Sequence, residues 1–135
     1  MKVSAKVRYA IRTLVEIGKC PDNSLPLSIV EKNQNISSKF AKQFLQPLEE
    51  RNIVGSKRGA KGGYYLKKDP SEIRLLDVIE ALEKEIQIVP CIKDAEFCER
   101  RDFCGAKKKW EEFQNLIEDF YFRTTIQDII EQEKK

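Results

Sequence analysis

A mainly α fold carrying one small β-hairpin is what this chain predicts, and three observations predict it. Apolar residues recur at helical spacing from Ser4, from Ser37 and from Lys107. Two strand-like pieces, "IVGSKR" and "GYYLKK", flank the glycine-bearing "GAKG". Residues 84–106, by contrast, show no sustained helical or strand period.

Taken in order, Ser4 can cap a first helix over Ser4–Gly18, in which Val7, Ala10, Ile11, Leu14 and Ile17 share a face. "CPDNSLP" is rich in turn formers and reads as a loop. A short helix runs from about Pro26 to Asn33, with the proline in the first turn, where its missing N–H costs nothing. "NQN" makes a turn. Ser37 then opens a third helix with Phe40, Ala41, Phe44, Leu45 and Leu48 on one face. Pro47 falls inside it, where a proline costs about 3 kcal/mol, so it marks a kink or the last turn. Asn52, suited to a left-handed stop, ends it. The hairpin follows, Asp69-Pro70 breaks it, and "LLDVIEALE" makes a fourth helix.

From about Lys107 the chain is helical again for about 16–18 residues, roughly 25 Å at 1.5 Å per residue. Trp110, Phe113, Leu116, Ile117, Phe120 and Tyr121 line one side of it. A lone helix with so broad an aromatic stripe needs a partner surface, in its own subunit or in a second copy. A second copy is preferred, because the domain before it reads as complete. "TTIQDII" forms a short last turn or helix, and "EQEKK" frays.

Charge is distributed unevenly. Residues 1–68 hold 14 Lys+Arg against 5 Asp+Glu (+9), and residues 69–135 hold 11 against 17 (−6), which together give the net +3. A basic first half points toward nucleic acid. Three helices followed by a two-stranded ribbon is the order of a winged helix-turn-helix, whose third helix enters the major groove while the hairpin reaches a neighbouring groove or the phosphates. Lys57, Arg58 and Lys61 supply cations at the hairpin, and its glycines let the backbone come close to a duplex. A phosphate-binding P-loop is excluded, since no Gly-Lys-Ser/Thr follows at the required spacing. No stretch approaches a membrane span, and the charged N-terminus is neither signal peptide nor anchor, so a soluble cytoplasmic protein is expected.

Cys91, Cys98 and Cys104 fall together, and Cys20 ends the first helix. In a cytoplasmic chain such a trio suggests metal or redox chemistry rather than disulfides. The absence of histidine excludes the usual Cys/His zinc sets, and the absence of Cys-x-x-Cys argues against a thioredoxin-like exchanger. Three thiolates can hold an iron–sulfur cluster if a fourth ligand is found elsewhere; zinc and oxidisable thiols remain open. Cys20 reads as a small buried hydrophobe.

"ISSKFAKQFLQPLEERNIVGSKRGAKGGYYLKKDPSEIRLLDVIEALE" resembles the Rrf2 family of bacterial transcription regulators, with "RGAKGGYYL" matching its wing signature and "ISSKFAKQFL" its recognition helix. "MKVSAKVRYAIRTL" and "TTIQDI" are similar to its first helix and terminal segment. The resemblance implies a homodimer whose long helices cross through Trp110, Phe113, Leu116, Ile117 and Phe120, and which binds a palindromic operator in double-stranded DNA. It implies a DNA-binding domain over 1–83, a cysteine-bearing sensor loop over 84–106, and a dimerisation helix and tail over 107–135. Ser37, Lys39 and Lys42 fall at positions that face the major groove. Lys42 stands where relatives carry glutamate, exchanging an acceptor for cytosine for a donor to guanine. Arg58 matches the minor-groove arginine, and Lys57 and Lys61 touch phosphates.

Cluster-binding, IscR-like and NsrR-like members place three cysteines where Cys91, Cys98 and Cys104 stand, so a cluster, [2Fe–2S] for preference, is implied. The family's further ligands do not carry over: Lys107 replaces a histidine and Arg8 an aspartate. The fourth ligand stays open among Asp94, Glu96, Glu99, Asp102, a partner residue and solvent. The expected function is a cluster-sensing transcription regulator and not an enzyme. The alternatives are the same regulator controlled by zinc, thiol oxidation or a protein partner, and more remotely a small electron carrier.

Overall fold

The computed structural model describes residues 3–60, 62–83, 99 and 103–134. Ser4 stands as N-cap of α1 (Ala5–Lys19), its Oγ accepting from the Val7 N–H at 3.2 Å. α2 (Leu27–Gln34) and α3 (Ser38–Glu50) follow, with Ser37 as N-cap of α3. Pro26 is the N-cap of α2 rather than a residue of its first turn.

Pro47 lies inside α3, which continues through it to Glu50. The stop beyond it is a left-handed residue. Asn52 has φ 60°; its N–H donates to Glu49 O and the Ile53 N–H to Leu48 O, both at 3.0 Å. This pair of bonds satisfies the last carbonyls, and buried Ile53 and Leu48 supply the apolar contact that accompanies it.

The hairpin strands are β2 (Val54–Lys57) and β3 (Gly63–Leu66). "CPDNSLP" is not wholly a loop: Ser24–Leu25 forms β1, paired Ser24↔Tyr65 and Leu25↔Tyr64, so the sheet has three strands in the order β1-β3-β2. Two residues carry no period, so β1 is held by the free edge of β3 and by burial of Leu25. After a 3-10 turn at Pro70–Glu72 come α4 (Leu75–Leu82), α5 (Gly105–Arg123) and α6 (Ile126–Glu133). α5 begins two residues earlier than the spacing implies and runs 19 residues.

The last segment does not fray after its first turn. Thr125 and Asp128 cap it reciprocally, the Asp128 N–H donating to Thr125 Oγ1 and the Thr125 N–H to Asp128 Oδ2. Ile126 and Ile130 are buried, and Lys19 pairs with Glu133 at 2.7 Å. α6 therefore packs on α1, and the core of the winged domain includes residues from the end of the chain. That core joins Leu14, Ile17, Phe44, Leu45, Leu48, Ile73, Val78 and Ile126, all essentially inaccessible. Each such side chain contributes about 1.5–3 kcal/mol on burial. Among the described residues no helix is long and apolar enough to cross a membrane.

Candidate nucleic-acid interface and sensor loop

The turn between α2 and α3 is made by Asn35, at φ 55°, with the Ile36 N–H donating back to Glu31 O at 3.1 Å. It leads directly to Ser37, whose Oγ accepts from the Phe40 N–H at 3.1 Å and fixes the start of α3. Phe40 packs edge-to-face between Tyr9 and Phe44, with ring centroids 5.5 and 5.9 Å apart. Ala41, Phe44, Leu45 and Leu48 are buried, which sets the rotation of the helix.

Lys39, Lys42, Gln43 and Gln46 therefore face solvent together, at the i, i+3, i+4, i+7 positions of one stripe. Ser37 is exposed at the same end. The two glutamines escape a search by charge, although their spacing from Lys39 would have found them. The acids of α3 lie at its far end, where Glu49 accepts from Ser56 Oγ at 2.9 Å.

Beyond the stripe, the wing turns tightly. The Gly62 N–H donates to Gly59 O at 2.9 Å. A Cβ at Gly62 would meet Lys57 O at 2.4 Å, and one at Gly63, where φ is 144°, would meet Leu25 O at 2.5 Å. Only glycine fits this fold of the backbone. Arg58 projects, exposed, from the end of β2, and Lys57 is exposed beside it. Lys61 lies outside the described residues. Lys39, Lys42, Lys57 and Arg58 enter none of the ion pairs among the described residues, so their charge is available to an anion.

Cys91 and Cys98 lie outside the described residues, as do Asp94, Glu96 and Asp102; Glu99 is exposed. Cys104 is half-buried, has a free thiol, and occupies the N-cap position of α5. Lys107, at the position of the missing histidine, is paired with Glu111. Among the described residues no group of three potential ligands comes together. Cys20 is half-buried rather than buried; it donates to Glu16 O at 3.2 Å, and burial, then Glu16 and Asp22, push its thiol pKa up.

α5 has an unusual orientation. Its half-buried side comprises Lys107, Glu111, Ile117, Glu118 and Tyr121 around buried Gln114, which donates to Glu118 Oε1 at 2.9 Å. Trp110, Phe113, Leu116 and Phe120 are exposed, and Ile117 is at the margin. At its far end the Arg74 guanidinium donates to Phe122 O at 2.6 Å and lies 4.3 Å from the Phe122 ring centroid. Around it the Leu75 N–H donates to Thr124 O and the Ile126 N–H to Ile73 O, both at 2.9 Å.

The family model described as "Rrf2: Iron-dependent Transcriptional regulator" matches residues 3–132. The HTH-type transcriptional regulator IscR of Photorhabdus laumondii is 28% identical over 131 residues, covering 96% of this chain and 79% of its own. Among solved structures, CymR, the global cysteine regulator of B. subtilis, is similar at TM-score 0.82 and 27% identity, covering 98% of both chains. T. potens IscR is similar at TM-score 0.79 and 25% identity, covering 98% of this chain and 88% of its own.

Proposed function

The chain belongs to the Rrf2 family and is a DNA-binding transcription regulator, and on that premise we propose a homodimer that reads a palindromic operator and senses through Cys91, Cys98 and Cys104. The observation that carries DNA reading is the solvent-facing Lys39–Lys42–Gln43–Gln46 stripe, free of ion pairs and capped at its groove-entering end by Ser37. Lys42 donates to guanine, and Gln43 and Gln46 have the paired donor and acceptor that adenine requires. Arg58 enters the minor groove, while Lys57 and Lys61 hold phosphates.

Dimerisation is supported by the exposed apolar side of α5; in such a dimer the two recognition helices would meet half-sites about 34 Å apart. The donor set of the sensor loop, three thiols with no histidine, suits a [2Fe–2S] cluster whose fourth ligand is a carboxylate, a partner residue or solvent. Bound there, such a group would supply one-electron chemistry and reactivity toward oxygen or nitric oxide. Cys104 starts α5, and the Arg74 clamp joins the other end of that helix to α4 and α6. A tilt of α5 at Cys104 therefore reaches the winged domain instead of being absorbed in a loose linker.

A second reading is the same DNA-binding dimer without a cluster, controlled by zinc, thiol oxidation or a protein partner; the free thiol of Cys104 is the observation that bears on it. Anaerobic purification with iron and sulfide analysis separates the two, run on the natural chain and on Cys98→Ala. Near-stoichiometric iron and sulfide, lost in Cys98→Ala, together with different affinities of loaded and stripped protein for a duplex selected from a random pool, is the expected result. Zinc or no metal, or equal affinities at fixed salt, would overturn cluster sensing and leave DNA reading in place.

A further inference from the structure

The sheet has a second side, which the DNA-reading residues above use only in part. Val54 and Leu66 are paired and buried, so Gly55, Lys57, Gly63 and Tyr65 face away from the core. Gly55 stands directly opposite Tyr65. A Cβ at Gly55 would lie 2.6 Å from Cζ and Oη of Tyr65 and 2.9 Å from Cε of Lys67. The missing side chain is thus the space into which both the tyrosine ring and the lysine stem settle. Lys57 Nζ is 4.9 Å from the centroid of the same ring, and Lys67 Nζ donates to Asn52 Oδ1 at 3.3 Å. The result is a ladder of two exposed ammonium groups with a half-buried phenol between them. No acid occupies any strand position of this face. A ring face attracts a cation but does not neutralise it.

We propose that the Lys57–Tyr65–Lys67 ladder binds the phosphate backbone of duplex flanking the half-site, as an extension of the wing. The proposal rests on the DNA-reading function above. Charge complementarity selects the occupant, and so does continuity: Lys57 precedes the wing-tip Arg58, and the ladder runs back along β3 from there. Lys57, paired opposite Gly63, and Lys67, just past the end of β3, approach the Tyr65 ring from its two sides along the strand, which gives the face two cations side by side. A protein partner is the poorer match, because such interfaces centre on a desolvated apolar cluster and this face offers one tyrosine.

The test is a salt series of binding to the selected duplex, once trimmed to the operator core and once with flanks, using the full chain, Lys67→Gln and Lys67→Arg. Removing one cation that neutralises a phosphate lowers the slope of log K against log salt by about 0.9, hence by about 1.8 for a dimer. Lys67→Gln is expected to lose that slope on the flanked duplex alone, and Lys67→Arg to restore it. Equal slopes for Lys67→Gln and the natural chain on the flanked duplex overturn the proposal, as does an equal loss on both duplexes. Weaker binding to polyglutamate with unchanged DNA slopes would reassign the ladder to an acidic protein. Arg58→Ala is the control for the parent reading and is expected to weaken both duplexes. If the natural chain binds neither duplex, the DNA-reading assignment itself falls, and the ladder with it.

Discussion

α3 and α5 both leave a stripe uncovered, and the two stripes are opposite in kind. α3 buries Ala41, Phe44, Leu45 and Leu48 and turns Lys39, Lys42, Gln43 and Gln46 outward. α5 turns Lys107, Glu111, Gln114 and Glu118 toward the covered side and leaves Leu116 at 69% and Phe120 at 53% exposure. A helix of the first kind is already satisfied by its own domain, and its exposed polar groups are free to read a ligand. One of the second kind remains unsatisfied until another apolar surface covers it. Periodicity alone cannot tell them apart, because it reports that a stripe exists and not which way it faces.

The largest expected effect is on α5. Leu116→Glu introduces a charge at the most exposed apolar position of the stripe, where it disturbs no buried neighbour within the protomer. The variant is expected to fold, to sediment as a monomer, and to bind the selected duplex 100-fold or more weakly. Linking two binding modules contributes about 10²–10⁴ in apparent affinity, and that linkage is lost. An unchanged dimer in sedimentation would show that the stripe is not the interface.

On α3 the expected effect is one of sequence preference. Lys42→Glu exchanges a donor for an acceptor on the exposed stripe. A good bidentate contact discriminates by about 1–3 kcal/mol, roughly 5- to 150-fold. Selection from a random pool should move one position of each half-site from guanine to cytosine, with sedimentation unaltered. If the selected sequence is unchanged, Lys42 does not read a base.

The Arg74 clamp joins the start of α4 to the end of α5, and its effect should be smaller. Arg74→Ala removes the donor to Phe122 O and the stack on the Phe122 ring, each worth about 1 kcal/mol. The expected outcome is a modest fall in thermal stability together with a smaller ratio of affinities between loaded and stripped protein. A ratio that stays the same while stability falls would make the clamp structural only.

The sequence shows some of this architecture plainly and hides the rest for physical reasons. Ser4, Ser37 and Asn52 mark helix ends because caps are local chemistry, and each acts where its residue type predicts. β1 is not legible because Ser24 and Leu25 are a strand only when β3 lies beside them. The packing of α6 is hidden in a segment of about two turns, although the Thr125–Asp128 spacing does carry a capping box. Gln43 and Gln46 escape because a search for cations does not see amides, yet their burial pattern sets them beside Lys39 and Lys42. The cysteine trio is legible only as a spacing, because of its members Cys104 alone falls among the described residues.

The smallest effect concerns Ser37, which has two roles to separate. Its Oγ accepts from the Phe40 N–H, a cap that Ser37→Ala removes at a cost of about 1 kcal/mol. Ser37→Asp keeps an acceptor at the same place and adds a negative charge, which the start of a helix favours. Stability should therefore fall in Ser37→Ala and return in Ser37→Asp. DNA binding should instead fall furthest in Ser37→Asp: both variants lack the hydroxyl donor, and only the carboxylate repels phosphate if this end of α3 enters the groove. Chemical denaturation and duplex titration of both variants measure the two roles independently. If Ser37→Asp bound the duplex as tightly as the natural chain, this end of α3 would not face DNA, and the stripe beginning at Lys39 would need another ligand.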